Sequence, residues 1–126
     1  MQSKIISRVV LIWSVALLAE FASSDTKADA VAGRAAFEKR CTGCHALDHD
    51  KEGPRLAGVV GRKAGSVCGF PYSDAVRKST VIWNEAVIDK WLTDPETVIP
   101  DSNMAFRLSS LAERQAIIAF LKAMGK

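Results

Sequence analysis

The chain of 126 residues lacks the features that mark several large functional classes. Its formal net charge is only +3 at pH 7, so it has no basic excess of the kind that nucleic-acid-binding proteins use. Its longest apolar run, "VVLIWSVALLA", has 11 residues, whereas a membrane span needs roughly 20. No segment shows the strict alternation of apolar and polar residues that indicates a strand. These absences favour a single small helical domain.

The N-terminus has the composition of an export signal. Two basic residues precede the apolar run, whose length suits the core of a signal peptide. Small residues at suitable spacing predict cleavage after Ser24, or as late as Ala30. We therefore expect a signal peptide over residues 1–24, a mature domain over residues 31–126 and a periplasmic location. The alternative is an uncleaved N-terminal anchor, against which Glu20 and the shortness of the run argue.

Four helical segments are predicted, separated by long loops. The first begins with Asp29 as N-cap and runs to the cysteines, and the later ones are capped by Ser73, Asn84 and Ser110. Residues 46–72 contain too many glycines and prolines for regular structure. Loops of this length in a compact domain are usually functional or disordered. The predicted fold is therefore all-α, with long wrapping loops and no internal repeats.

The stretch "CTGCH" places Cys41, Cys44 and His45 within five residues. A zinc site needs four ligands, and only Cys68 and His49 could complete it. A thioredoxin-like pair would open a helix within a βαβ unit, and no strand is predicted nearby. A disulfide between the first two cysteines is a further alternative. C-x-x-C-H is, however, the attachment signature of haem c, and a flat apolar cofactor suits a chain with only 7% aromatic residues.

A haem held in this way needs two axial ligands, and His45 is the natural first one. His49 follows too closely to reach the opposite face of the ring, Met1 belongs to the signal, and Met124 lies on the apolar stripe of the last helix. Met104, in an irregular loop, has enough chain before it to reach the far face. With both axial positions filled, the iron can transfer electrons but has no open position for a substrate. The alternative role for Met104 is to fill a gap in the core.

These residues resemble a class I c-type cytochrome, specifically the mitochondrial-type cytochrome c group. The resemblance covers nearly all of residues 30–124 and rests on separate stretches in the same order: "CTGCH", "GPRLAGVVGRKAG", "GFPYSDA", "VIWNEAVIDKWLTDP", "IPDSNMAF" and "ERQAIIAFL". It implies the small cytochrome c fold, about four helices and long loops wrapped around one covalently bound haem. It also implies a soluble one-electron carrier rather than an enzyme.

The resemblance assigns roles to individual residues. It implies that Cys41 and Cys44 form the two thioethers, that His45 and Met104 bind the iron, and that the carbonyl of Pro54 accepts the second imidazole N–H.

Further residues are expected around the cofactor. The resemblance implies that Arg62, Tyr72 and Trp83 surround the haem propionates, which need donors in a buried pocket. Trp91 stands where the family commonly has a tyrosine near the methionine sulfur, and Val76 stands where it has an asparagine. Both departures alter the polar contacts expected on the methionine side of the pocket.

Three further expectations concern packing and partners. Gly33, Phe37 and Phe120 match the family's crossing of the first and last helices. Cys68 is either a buried small hydrophobe or an exposed thiol able to link two copies of an otherwise monomeric protein. The implied partners are a quinol-cytochrome c reductase, a terminal oxidase or a dehydrogenase. The rival function is a haem protein with a labile sixth ligand that binds a gas or has peroxidase activity.

Overall fold

The computed structural model describes the backbone of residues 21–125 and the side chains of residues 29–125. Its helices are α1, Phe21–Arg40; α2, Asp74–Lys78; α3, Glu85–Thr93; a 3₁₀ turn, Pro95–Thr97; and α4, Leu111–Ala123. Within the described part of the chain, the only strand-like pairing is one antiparallel bridge between Lys63 and Ile82. The all-α prediction is confirmed. Most of the predicted signal peptide lies outside the described residues.

Three of the four predicted helix starts are present. Ser73, Asn84 and Ser110 each accept a hydrogen bond from the backbone N–H three residues later, at 3.3, 2.9 and 3.3 Å. The prediction for Asp29 was wrong, because α1 begins at Phe21 and Asp29 lies inside it. The segment "FASSDTKADA" contains no glycine or proline, so nothing in it ends the helix before Asp29. Over residues 21–125 no helix has both the length and the apolar character to cross a bilayer.

The core is organised by the crossing of α1 and α4. A Cβ atom at Gly33 would lie 2.4 Å from the carbonyl oxygen of Ala116 and 2.8 Å from Cβ of Phe120, so only glycine allows the two helices to approach this closely. One turn later, the Phe37 and Phe120 rings pack with centroids 5.2 Å apart. The crossing that the resemblance implied is therefore present. It places the end of α1, and the cysteines that follow it, against α4.

Replacing Gly33 with alanine is expected to destabilise the protein by about 1 to 3 kcal/mol, because the new methyl group meets backbone and α4 has to shift. Unfolding of the haem-loaded protein by guanidinium chloride would measure this as a lower midpoint. Gly43→Ala is the matched control, since a Cβ at Gly43 has no neighbouring atom within 4 Å. Equal midpoints for the two variants would contradict a packing role for Gly33.

The loop before α2 is fixed by backbone pairing with the segment before α3. The N–H of Gly61 donates to the carbonyl of Trp83 at 2.7 Å, the N–H of Trp83 donates to Arg62 at 2.9 Å, and the N–H of Ala64 donates to Val81 at 2.8 Å. These bonds hold an irregular loop in one conformation. They also place Arg62 and Trp83 side by side on the wall of the central cavity.

Candidate functional site

A cavity of about 600 Å³ lies at the centre of the fold, between the end of α1, the long loop, α3 and the loop that carries Met104. Its size is in the range of cofactor sites. Every candidate site residue from the sequence lines it: Cys41, Cys44, His45, Pro54, Arg62, Tyr72, Trp83, Trp91 and Met104. Residues that are up to 63 positions apart in the chain, counted from Cys41 to Met104, thus meet in one place.

The cysteine motif forms a turn that directly continues α1. The N–H of Cys41 donates to the carbonyl of Phe37 at 2.8 Å, and the N–H of His45 donates to that of Cys41 at 2.8 Å. This turn brings Cys41, Cys44 and His45 to the cavity wall. Cys41 is buried and Cys44 is exposed, and neither forms a disulfide.

The remaining alternatives for the motif do not fit this geometry. It follows a helix instead of opening one, and burial raises the pKa of Cys41 to about 11, whereas a redox-active cysteine needs a lowered pKa. Over the described part of the chain, no three side chains among His, Cys, Asp and Glu converge as a zinc site would require. Both thiols at the wall of an apolar cavity do fit attachment of a porphyrin.

The His45 imidazole is oriented by the backbone of Pro54. Its Nδ1 lies 2.8 Å from the Pro54 carbonyl oxygen, and since a carbonyl can only accept, Nδ1 carries the proton and donates. Nε2 is then the nitrogen available to a metal. Burial lowers the pKa of His45, with the Pro54 bond acting in the opposite direction. The ring is therefore neutral at physiological pH, which is the form that binds iron.

Gly53 is a site residue that sequence reasoning missed. A Cβ atom there would lie 2.1 Å from Cε1 of His45 and 2.6 Å from each ring nitrogen, so the His45 ring fits only against a glycine. The N–H of Gly53 donates to the carbonyl of Cys44 at 2.8 Å, which ties this backbone to the cysteine motif. The sequence does carry a signal, since this glycine directly precedes Pro54, but a glycine next to a proline also marks an ordinary loop.

Met104 faces the cavity from an irregular loop. Its sulfur accepts a hydrogen bond from Nε1 of Trp91 at 2.9 Å, and its N–H donates to the hydroxyl of the buried Ser102 at 3.5 Å. Asp101 and Asn103 both have positive φ, 61° and 68°, which is uncommon for residues other than glycine. This backbone turn and the Trp91 bond together direct the thioether into the pocket.

The two departures noted on this side of the pocket have different consequences. Val76 is buried and packs with Ala64 and Ile99, so the polar group of the family's asparagine is replaced by apolar contact. Trp91 instead supplies a polar contact, its N–H on the Met104 sulfur. Its ring also packs edge-on against that of Trp83, with centroids 4.9 Å apart.

The donors expected around the propionates border the cavity as well. The guanidinium of Arg62 donates to the carbonyls of Ala57 at 3.2 Å and Arg55 at 2.8 Å, and burial lowers its pKa. The hydroxyl of Tyr72 accepts the N–H of Val67 at 3.1 Å, which leaves the phenolic proton free to donate elsewhere.

The residues present therefore fit haem c. They provide two thiols, an imidazole with its free nitrogen defined, a thioether, polar donors and a largely apolar cavity. Cys68 takes no part, because it is exposed and outside the cavity lining. Of the two roles considered for Cys68, the buried small hydrophobe was wrong, because the side chain is exposed. Cys68 lies in a loop, where no helical or strand periodicity indicates which side chains are buried.

The chain is similar to known c-type cytochromes over most of its length. The family model described as Cytochrome c matches residues 30–125. Cytochrome c2 iso-2 of Magnetospirillum fulvum is 45% identical over 87 residues, covering 67% of this chain and 91% of the relative. Cytochrome c2 of Rhodomicrobium vannielii is 40% identical over 115 residues, covering 88% and 86%. The solved structure of cytochrome cH from Methylobacterium extorquens is 41% identical, with a TM-score of 0.70 over 75% of this chain and 97% of that one.

Proposed function

Because the chain belongs to the cytochrome c family, we propose that it is a soluble one-electron carrier of the periplasm whose haem iron is bound by His45 and Met104. The coarser part of this function follows from the family: the protein is a class I c-type cytochrome, carries one covalently attached haem c, and transfers electrons instead of catalysing a reaction. The ligands, the compartment and the partners are the proposed part.

The observation that carries the proposal is the meeting of His45 and Met104 in one cavity with both motif cysteines. When bound, haem c supplies a one-electron Fe(III)/Fe(II) couple. Cys41 and Cys44 would hold it by thioethers, so that it would not be lost from a small exported protein. His45 presents Nε2 while Pro54 keeps its proton on Nδ1. Met104 presents a thioether, which favours the ferrous state relative to a second imidazole and so raises the reduction potential.

The remaining lining residues adapt the pocket to the two propionates and the apolar ring. Arg62, Tyr72 and Trp83 all line the cavity and would supply donors for carboxylates that are taken out of water. The apolar remainder of the lining would keep water from much of the ring. Low dielectric and fixed donors around a redox centre reduce the reorganisation that each electron transfer requires.

The N-terminal sequence and the family support a proposal for the compartment and the partners. The predicted signal peptide supports a periplasmic location. The family supports redox partner proteins, for which we propose a quinol-cytochrome c reductase, a terminal oxidase or a dehydrogenase, and we propose that the protein is a monomer. The exposed Cys68 is the residue through which two copies would be joined under oxidising conditions. The mass of the protein recovered from the periplasm should equal that of a chain beginning after Ser24 or Ala30 plus one haem. A mass that includes residues 1–24 would indicate a retained anchor instead.

The optical spectrum of the purified protein, oxidised and reduced, with and without carbon monoxide, tests the ligation. We expect the weak far-red band that methionine sulfur gives to ferric haem c, and a ferrous spectrum that carbon monoxide does not change, because His45 and Met104 would both hold the iron. Absence of the band together with rapid carbon monoxide binding would contradict the proposal. It would favour the alternative function, a labile sixth ligand with gas binding or peroxidase activity.

A further inference from the structure

The loop that carries Met104 is held unequally at its two ends. This methionine loop, residues 98–110, runs from the 3₁₀ turn to α4. Before and at Met104, the side-chain hydrogen bonds to the backbone of residues 101–104 are long, between 3.2 and 3.5 Å. After it, the N–H of the buried Leu108 donates to the carbonyl of Leu92 on α3 at 2.7 Å. The firm attachment of the loop is therefore the end next to α4.

The buried side chain of Arg114 completes this attachment. Arg114 lies one turn into α4 and is 8% exposed. Its Nη1 donates to the carbonyls of Leu108 and Ser109 at 2.9 Å each, and its Nε donates to the carboxylate of Asp89 on α3 at 2.8 Å. A guanidinium holds its N–H groups in a rigid fork. The bond to Asp89 thus fixes the direction in which Nη1 meets the two carbonyls.

The contacts of Arg114 differ in strength from those of the exposed arginine in the same region. Hydrogen bonds from a charged donor are roughly twice as strong as neutral ones, and a buried charge that loses its partner carries a large penalty. Arg107, on the methionine loop, pairs with Asp94 at 2.9 Å, but its side chain is 59% exposed. Exposed pairs contribute little. Of the two arginines, Arg114 is therefore the one that holds the loop.

The anchored residues follow closely on those that face the cavity. Residues 104–106 line the cavity, and a single residue separates them from Leu108. To admit an external ligand beside the iron, residues 104–106 have to move away from the cavity. One intervening residue leaves too little chain for this movement while Leu108 stays in place. Release of the methionine sulfur therefore requires that the bonds to Arg114 break as well.

We propose, on the premise that Met104 binds the iron, that Arg114, aligned by Asp89, is the positioning residue that keeps the methionine sulfur on the iron. Its bonds to the loop set how readily a ligand from solution replaces the sulfur. The chain between Leu92 and Glu113 has no histidine, lysine or cysteine. No side chain of this segment therefore competes with an external ligand for the position that the sulfur leaves.

Imidazole binding to the ferric, haem-loaded protein tests this proposal. The apparent affinity of a probe that needs the open form rises with the fraction of protein that is open. Arg114→Lys keeps the charge but replaces the fork by a single ammonium, which cannot hold Asp89 and both carbonyls together. We expect imidazole to bind this variant about tenfold to hundredfold more tightly, as for the loss of one hydrogen bond to a charged group. Asp89→Asn keeps an oxygen acceptor without its charge, and should bind imidazole about threefold to tenfold more tightly.

Two controls separate a positioning role from a general effect on stability. Arg107→Lys makes the same change at an exposed ion pair of the same loop, and should alter the imidazole affinity by less than about threefold. Ile118→Ala removes buried packing on α4 outside the cavity lining. It should lower the unfolding midpoint at least as much as Arg114→Lys does, and it should leave the imidazole affinity within the same limit.

The order in which two signals disappear on unfolding gives a second readout. In guanidinium chloride, the far-red band reports the bound sulfur and far-ultraviolet circular dichroism reports the helices. Coincident transitions of the two signals indicate one cooperative step. In Arg114→Lys the band should be lost at a lower denaturant concentration than the helices, with a wider separation than in the wild type. Ile118→Ala should lower both midpoints together.

Unchanged imidazole affinity in Arg114→Lys and Asp89→Asn would overturn the positioning role, and so would an equal increase in Ile118→Ala. If the wild type shows the far-red band, such a result refutes only this inference. If the wild type lacks the band and binds carbon monoxide, the proposed ligation fails and the inference fails with it. If Arg114→Lys does not retain its fold, Asp89→Asn decides the question alone.

Discussion

Replacing Met104 with alanine is expected to convert the protein from one indifferent to carbon monoxide into one that binds it in the ferrous state. The thioether is the only ligand we assign to the far side of the pocket, and alanine cannot replace it. The ferric variant should also lose the far-red absorption band. Because Cys41, Cys44 and His45 are unchanged, the haem should remain covalently attached, which a denaturing gel stained for haem would check.

Met124→Ala is the matched control for this prediction. Met124 is half-buried at the end of α4, where it packs against the main core, and it is absent from the cavity lining. Its removal should lower the free energy of unfolding by about 1 to 2 kcal/mol, less than a fully buried methionine would, and should leave the spectrum and carbon monoxide binding unchanged. The reverse pattern, with an unaltered Met104→Ala spectrum, would show that another residue is the sixth ligand.

The helix starts show how far local sequence determines this fold. A cap is an interaction between residues three positions apart, so Ser73, Asn84 and Ser110 could be predicted without tertiary information. Asp29 carries the same local signal, yet α1 continues through it. Aspartate is acceptable inside a helix, and only a break before it would have made it a cap.

The site residues also differ in whether local sequence or tertiary packing determines their role. The cysteine motif was predictable because its chemistry is contained in five consecutive residues. Met104 was reached by eliminating the other candidate ligands, with its place in a loop in its favour. Gly53 was missed because its requirement is steric and depends on where His45 folds back, eight residues earlier. For Trp91 the position could be predicted, but the direction of its N–H depends on the packing of α3 against Trp83 and on the turn before Met104.

At the start of α4, a tertiary contact replaces one half of a predicted local cap. Ser110 and Glu113 match the capping-box pattern, and the serine half is present. The Glu113 carboxylate, however, accepts two hydrogen bonds from Arg40 at the end of α1, at 3.0 and 2.9 Å. This ion pair lowers the pKa of Glu113, and it joins the two crossing helices beside the cysteine motif. A tertiary partner of opposite charge thus replaced the local one, which no local pattern could predict.

Replacing Gly53 with alanine is expected to displace the His45 ring, because the new methyl group would occupy space that three ring atoms already fill. Either the ring turns away and loses its bond to the Pro54 carbonyl, or the backbone that carries this bond moves. Both outcomes remove the fixed orientation of Nε2. We expect the low-spin spectrum to be lost, as it would be if the His45 imidazole were removed. The free energy of unfolding should be lower by about 3 kcal/mol or more, because overpacking adds to the lost hydrogen bond.

Gly43→Ala separates this steric effect from any general sensitivity of the motif. Gly43 lies between the two cysteines, has no positive φ and faces open space, so its alanine variant should keep both the low-spin spectrum and the unfolding midpoint. If Gly53→Ala behaved in the same way, His45 would have to tolerate a different position without losing its metal-binding nitrogen. The contact between Gly53 and the ring would then be incidental, and the orientation of His45 would rest on the Pro54 bond alone.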